Sequence, residues 1–201
     1  MVSDLTGSGK SLIREAFDRV TAVPRQDIYV LTVQDMVSPI RKQLKLPASH
    51  FFVDPARRGT WPALLWALAH LRHLNPEAVM AVVTGDHVIP NVKEFRTAFQ
   101  QAVETATTEP SFVVIPVAPS SSAQEWLGFG AVQAKPGRGA AALIEGFEEK
   151  PSLNRAGQML AEGDWAWNAG MFFFRISVAE EVLALYQPDM YRIYQIMVEA
   201  L

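Results

Sequence analysis

Cysteine is absent from the 201 residues, which excludes disulfides and thiolate metal sites and fits a reducing compartment. No apolar run approaches membrane-spanning length, and the polar N-terminus has no apolar core of the kind a signal peptide carries. Charge of one sign is scarce as well. Eighteen Lys and Arg against 21 Asp and Glu leave a formal net charge of −3, too little for a broad attraction to nucleic acid or an anionic membrane. No internal repeat and no low-complexity tract is present. What remains is a globular composition, 49% hydrophobic and 19% charged, long enough to bury a sizeable core. Together these properties describe a cytoplasmic protein with neither a nucleic-acid nor a membrane partner; assembly into a homo-oligomer is left open.

A phosphate-binding loop is also missing, although one stretch imitates it. TGSGKS ends in Lys10 and Ser11, but a P-loop needs a glycine six residues before its lysine, and Asp4 stands there. Only three residues precede it, too few for the buried strand that should feed such a loop. The stretch reads instead as the entrance to a helix, on which Leu12, Ile13, Ala16, Phe17 and Val20 recur at helical spacing.

Beyond that helix, Ile28 to Val33 is a compact apolar run of strand character, followed by a helix up to Leu46 and a short strand at Phe51 to Val53. Thr60 and Pro62 suit the start of a long apolar helix, Thr60 as a cap and Pro62 in the first turn. Ala78 to Val83 is apolar on both faces, as a central strand must be. A helix over Val92 to Thr107 and a strand in FVVIPVA follow. Shorter strands are expected at Phe129 to Ala134 and Leu143 to Glu148, a helix at Arg155 to Glu162, a strand in MFFFRI, and two closing helices. PGRG, from Pro136 to Gly139, reads as a turn. Strands alternating with helices predict an α/β fold with an open, mostly parallel sheet.

Ligands of such sheets bind beyond the carboxyl ends of the strands, and four stretches place polar groups there. TGDH carries Asp86 and His87 off the strand that ends at Val83; a carboxylate there suits a magnesium ion shared with phosphate oxygens, or simply bonds the amides of a turn. DPARRGTWPA offers Arg57 and Arg58 to phosphate or base acceptors, or is a surface loop ahead of a helix cap. GFEEKP offers carboxylates and a lysine to sugar hydroxyls and a phosphate, or is a charged loop end. WAWNAGMFFF places Asn168 beside tryptophans, suited to carbohydrate or to a turn over a core. Gly128 and Gly130 imply close backbone approach or a bulge. His70 and His73 share a helical face, with no inward carboxylate, and read as solvated; His50 is alone.

The order DPARRGTWPA, TGDH, GFGAV, FEEKP, WNAGMF resembles the sugar-1-phosphate nucleotidyltransferases, with the mannose-1-phosphate guanylyltransferase runs E-P-x-x-R-N-T-A-P-A, P-A-D-H, G-Y-G-Y-I, F-V-E-K-P and W-N-S-G-M-F as the nearest pattern. The likeness extends over nearly the whole chain. It implies a Rossmann-like nucleotide-diphosphosugar transferase fold over residues 1–201 as one partial domain, and transfer from GTP to mannose 1-phosphate with magnesium as cofactor. Carried over by position, Asp86 holds the metal and is catalytic together with Lys150, which lies near the sugar phosphate. Arg58, Thr60 and Pro62 belong to the nucleotide loop, and Gly130, Glu149 and Asn168 to the sugar site. Alternatives of the same resemblance are a uridylyl or thymidylyl transferase and a catalytically dead regulatory relative that binds sugar nucleotides.

The departures bear on specificity. Gly59 stands where the family has asparagine and Trp61 where it has alanine, which unsettles base preference. TGDH replaces P-A-D-H, and Ala131 and Val132 replace Y-I. The family's first strand, its G-G-x-G-T-R loop, the following P-K pair and a second metal-binding aspartate have no counterpart in the sequence. A central strand buries four or five aliphatic side chains at roughly 1.5–3 kcal/mol each, so its loss rivals a whole domain's stability of about 5–15 kcal/mol. The expectation is therefore a fragment, or a gene model started too late.

Overall fold

The computed structural model describes residues 2–55, 59–119, 129–135 and 141–201. The PGRG turn and Gly128 lie outside the described residues.

TGSGKS is a helix entrance, and the reason it cannot take phosphate is visible. Gly7 and Gly9 adopt left-handed backbone (φ 74° and 79°), so that the N–H groups of Thr6, Gly7 and Gly9 converge. The Asp4 carboxylate fills that concavity, accepting from them at 3.1, 2.8 and 2.8 Å. These amides, that of Gly9 foremost, hold the Asp4 carboxyl below its ordinary pKa. Ser11 then caps α1 (Leu12–Arg19) by accepting from the Arg14 N–H, and Lys10 pairs with Asp18 at 2.8 Å.

Two sheets follow. Parallel strands β1 (Val30–Thr32) and β2 (Phe51–Val53), joined by α2 (Gln34–Leu44), form the first. The second holds β3 (Val79–Val82), β4 (Val113–Val117), β5 (Gly130–Lys135), β6 (Leu143–Glu149) and β7 (Trp165–Arg175). The α/β class stands, but the mostly parallel pairing does not describe this sheet: every ladder in it is antiparallel. The cause is β7, which inserts between β3 and β4 and runs against both, leaving those two strands co-directional with each other.

β7 is also longer than expected. MFFFRI marks only its second half; the strand begins six residues earlier at Trp165 and α6 (Ile176–Tyr186) takes over at Ile176. Along one edge β7 pairs with β4, at Trp167 and Asn168 and again at Phe172 and Phe173. Along the other it pairs with β3 from Phe172 to Arg175 and with β5 from Trp165 to Asn168. The sheet therefore forks at residues 169–171. There β7 sets four residue steps, from Asn168 to Phe172, against the two that separate Pro116 from Val114 on β4. Gly170 sits in this bulge with φ 68°, left-handed backbone that costs a side-chain-bearing residue about 1–2 kcal/mol.

Helices cover the two faces unequally. On one face Phe173 and Met171 pack against Phe95, Phe99 and Ala102 of α4 (Val92–Thr108), and Trp165 and Ala131 against Ala156 and Met159 of α5 (Leu153–Glu162). On the other, Phe174, Met80 and Phe52 are covered by α3 (Thr60–Leu74), α6 and α7 (Pro188–Glu199). That cover reaches Phe172 and Phe174 but does not extend along β7 to Asn168. A further cluster of Ile13, Ile40, Leu44 and Phe51 ties α1 and α2 to the two-stranded sheet.

Candidate active site

Cross-strand register brings the sugar-site candidates together. Gly130 of β5 lies opposite Glu149 of β6 on one side and opposite Asn168 of β7 on the other, with Pro116 of β4 next in the row. Directly paired residues point to the same face, so Glu149 and Asn168 flank a glycine on the face that the helices leave bare among the described residues; Glu149 is exposed there, whereas Gly130 and Val132 are buried. A Cβ built on Gly130 would lie 2.9 Å from Glu149 Oε2 and 2.9 Å from Phe147 Cζ. The missing side chain is what lets the carboxylate and the ring approach the strand.

Asn168 takes the turn role among its two readings. Its Oδ1 accepts from the Gly170 N–H at 3.1 Å, which is the turn role, and this bond fixes the amide plane beside Gly130. Lys150 leaves the end of β6 in left-handed backbone (φ 49°), its N–H donating to the Phe129 carbonyl at 3.2 Å. Its Nζ is 4.0 Å from Glu149 Oε1, both side chains more than 60% exposed, so this ion pair contributes little to stability. Two opposite charges thus stand side by side at the edge of the bare face.

The fork joins this row to TGDH. The last pair of β3 sets Val82 against Phe172, and a Cβ on Gly170 would lie 3.5 Å from Thr84 Cγ2. Thr84, two residues before Asp86, therefore lies against the Asn168–Gly170 bulge of β7. Asp86 is exposed and His87 half-buried. Among the described residues no group of three or more His, Asp and Glu gathers to hold a metal, so a cation at Asp86 would draw its other oxygen ligands from phosphates or water. That is the arrangement magnesium favours, and the residues present fit it.

The nucleotide loop is only partly described. Arg58 lies outside the described residues, as does Arg57. Thr60 and Pro62 are the first and third residues of α3. Gly59, not Thr60, occupies the cap position, and it offers no side-chain oxygen to the helix. Trp61 between them is 50% exposed and stacks on Phe172, ring centroids 6.4 Å apart. The structure thus brings Gly130, Glu149, Lys150 and Asn168 into one constellation, sets Thr84, two residues before Asp86, beside its Gly170 end, and puts Thr60 and Pro62 at the helix that covers Phe172.

Three residues escaped the sequence reading. Phe147 is 56% exposed on the bare face, hidden in GFEEKP by the charges after it. Trp61 was legible only as a departure. Arg19 is 5% exposed and lines a small cavity with Val83, Thr84 and Met171 beneath the TGDH turn, its guanidinium 5.9 Å over the Phe95 ring. Burial lowers its pKa, with Glu15 opposing. Its signal was a charge in the apolar stripe that runs through Leu12 and Ala16. The Thr84 hydroxyl in that cavity is buried and has no hydrogen-bond partner among the described residues.

The histidines belong elsewhere. His70 is not solvated: its ring lies flat on Phe52 at 4.5 Å and meets Trp66 edge-on at 4.6 Å, because β2 packs under this part of α3. Nε2 of His73 bonds the Val198 carbonyl at 2.9 Å, and Nδ1 of His50 the Ile28 carbonyl at 2.8 Å. All three are structural. Among the described residues no helix is long and apolar enough to cross a membrane.

Comparison with known proteins agrees with this geometry. The family model described as nucleotidyl transferase matches residues 5–201. A putative mannose-1-phosphate guanylyltransferase of Vibrio cholerae is 27% identical over 98% of this chain and 42% of its own length. A mannose-1-phosphate guanylyltransferase of Escherichia coli is 30% identical over 94% of this chain and 41% of its own. The chain therefore spans about two fifths of these relatives. A Thermus thermophilus crystal structure described as a mannose-1-phosphate geranyltransferase shares the fold, with a TM-score of 0.83 at 22% identity over 96% of this chain and 56% of that one.

Proposed function

The chain belongs to the nucleotidyl transferase family, and from that membership we propose that it carries the acceptor side of a sugar-1-phosphate guanylyltransferase, which converts GTP and mannose 1-phosphate to GDP-mannose and pyrophosphate. The carrying observation is the register row Glu149–Gly130–Asn168 joined at the fork to the Asp86 turn. A carboxylate and an amide across a bare glycine suit the hydroxyls of a hexose.

In the reaction a phosphate oxygen of the sugar 1-phosphate attacks the α-phosphorus of GTP in line, and the bond to the β-phosphate oxygen breaks to release pyrophosphate. The work of the protein is positioning and charge neutralisation. Glu149 accepts from sugar hydroxyls and Asn168 orients the ring from the opposite strand, while the missing side chain at Gly130 lets the Glu149 carboxylate lie over the strand between them. Lys150, next to Glu149, meets the sugar phosphate. Asp86 would hold magnesium, which supplies positive charge to the phosphate oxygens when bound. Thr60 and Pro62, with Arg58, belong to the nucleotide end.

Titration calorimetry with mannose 1-phosphate and GDP-mannose, run beside a pyrophosphate-release assay with GTP and magnesium, tests this. Both ligands are expected to bind. Pyrophosphate release that depends on mannose 1-phosphate, GTP and magnesium together supports the transfer itself. Failure to bind either ligand overturns the proposal. Release of pyrophosphate with UTP or dTTP but not GTP transfers the assignment to a uridylyl or thymidylyl transferase, and binding with no turnover at all is the behaviour of a regulatory sugar-nucleotide binder.

A further inference from the structure

Trp61 is an unusual residue to leave half in water. Its indole meets Phe172 on one side, centroid to centroid 6.4 Å with planes 29° apart, while half of its surface stays open. A half-exposed aromatic plane is a stacking platform, because every heterocyclic base presents a π-face to it whatever its edges carry.

Its place gives the platform a ligand. Phe172 is opposite Val82, the last paired residue of β3, after which Thr84 lies beside Gly170 and the chain runs on to Asp86 two residues later. Two residues further along β7 stands Asn168, in register with Gly130 and Glu149. The order along the strand is aromatic plane, turn leading to the carboxylate, hydroxyl-binding row, spread over four residue steps of β7 that the bulge sets against two steps of β4. That is the order of base, phosphates and sugar in a nucleoside diphosphate sugar.

We propose that Trp61 is the base-stacking residue of this site and favours purine over pyrimidine by ring area rather than by reading base edges. The inference rests on the function proposed above and adds to it the residue that sets base preference, at a position where relatives of the resembled pattern carry alanine.

Calorimetry of the wild type, Trp61→Leu and Trp61→Phe with GDP-mannose, mannose 1-phosphate, GMP and UMP decides it. Trp61→Leu is expected to weaken GDP-mannose about tenfold to a hundredfold and leave mannose 1-phosphate unchanged. Trp61→Phe retains most of the affinity. GMP binds the wild type more tightly than UMP, and the gap closes in Trp61→Leu. Equal GDP-mannose affinity in wild type and Trp61→Leu overturns the inference and leaves the proposed function standing. A parallel loss of GDP-mannose and mannose 1-phosphate marks a structural role and also overturns it. No binding of GDP-mannose or mannose 1-phosphate by the wild type overturns both proposals. If Trp61→Leu does not fold, quenching of tryptophan emission by GMP in the wild type against Trp61→Phe answers the same question, and identical quenching refutes it.

Discussion

Replacing Gly130 by alanine separates the site from the fold. The new Cβ would meet Glu149 Oε2 and Phe147 Cζ at 2.9 Å each, well inside the 3.5–4.0 Å at which such atoms pack comfortably. Each group must retreat by about 0.6 Å or more to reach that distance. Both contacts are the far ends of exposed side chains, so the retreat is easy, and no backbone atom is forced. Alanine also reduces the freedom of the unfolded chain, which offsets the remaining crowding by roughly 0.4–1 kcal/mol. Stability is therefore expected to stay within about 1 kcal/mol of wild type, a melting shift of no more than about 2–4 °C. Binding is a different matter. The methyl takes the space that the Glu149 carboxylate now fills and so displaces the group that should accept from the sugar hydroxyls. A lost charge-assisted hydrogen bond is worth about 1.5–3 kcal/mol, so mannose 1-phosphate should bind roughly ten- to a hundredfold more weakly. Calorimetry beside a thermal melt reads both. Unchanged affinity in a folded Gly130→Ala protein would refute the placement of the sugar over this row, whatever else the chain does.

Asp86→Asn keeps the turn and removes the charge: magnesium is expected to strengthen GTP binding to the wild type and not to the variant, and equal magnesium dependence takes Asp86 out of the site. His70 offers a pH test. Burial against Phe52 and Trp66, with His73 adding repulsion, lowers its pKa, so the unfolded chain binds the extra proton first. Its contribution is complete above the unfolded value near 6.5 and is lost as pH falls from there through the folded pKa. Urea melts from pH 7.5 to 5 should show a steeper loss in wild type than in His70→Leu, and parallel curves count against it. The Tyr194 hydroxyl donates to Glu180 at 2.8 Å, and Arg72 donates to the same oxygen at 2.6 Å. Burial, then this bond, pushes the phenol pKa far up, and Tyr194→Phe should cost about 1.5–3 kcal/mol in a urea melt. A neutral result would show that α7 is not anchored there.

What the sequence disclosed, and what it hid, follows from range. Helices with an apolar stripe and a cap were legible, as at Ser11, because those signals lie within one or two turns. Asp86 was legible because an apolar strand delivers it. The start of β7 was not. Trp165, Asn168, Ala169 and Gly170 carry no alternating pattern, and the segment is strand only because β4 and β5 pair with it from either side. The antiparallel insertion of β7 was hidden for the same reason: strand direction is a property of pairing, not of the run itself. His70 looked solvated because Phe52, which it covers, lies 18 residues away on another element. The resemblance named Gly130, Glu149 and Asn168 without showing that they share a single register row.

That row also divides the site into parts of different stiffness. Glu149, Gly130 and Asn168 lie on three neighbouring strands, and their spacing is fixed by ladder hydrogen bonds that the whole sheet supports. Asp86 and Lys150 lie just beyond strand ends, Asp86 on an exposed turn and Lys150 in left-handed backbone with no more than a weak ion pair. A sugar can therefore be recognised by groups already in position, at little entropic cost, whereas the charged groups must be ordered by the phosphates they meet. Discrimination among sugars should then reside in the row and salt sensitivity in the turns. Substituting Lys150 by Met should weaken mannose 1-phosphate mainly at low ionic strength and leave the ranking of sugar phosphates intact. Substituting Glu149 by Gln should change that ranking at every ionic strength. If the two variants behave alike, the row and the turns act as one unit and the division fails.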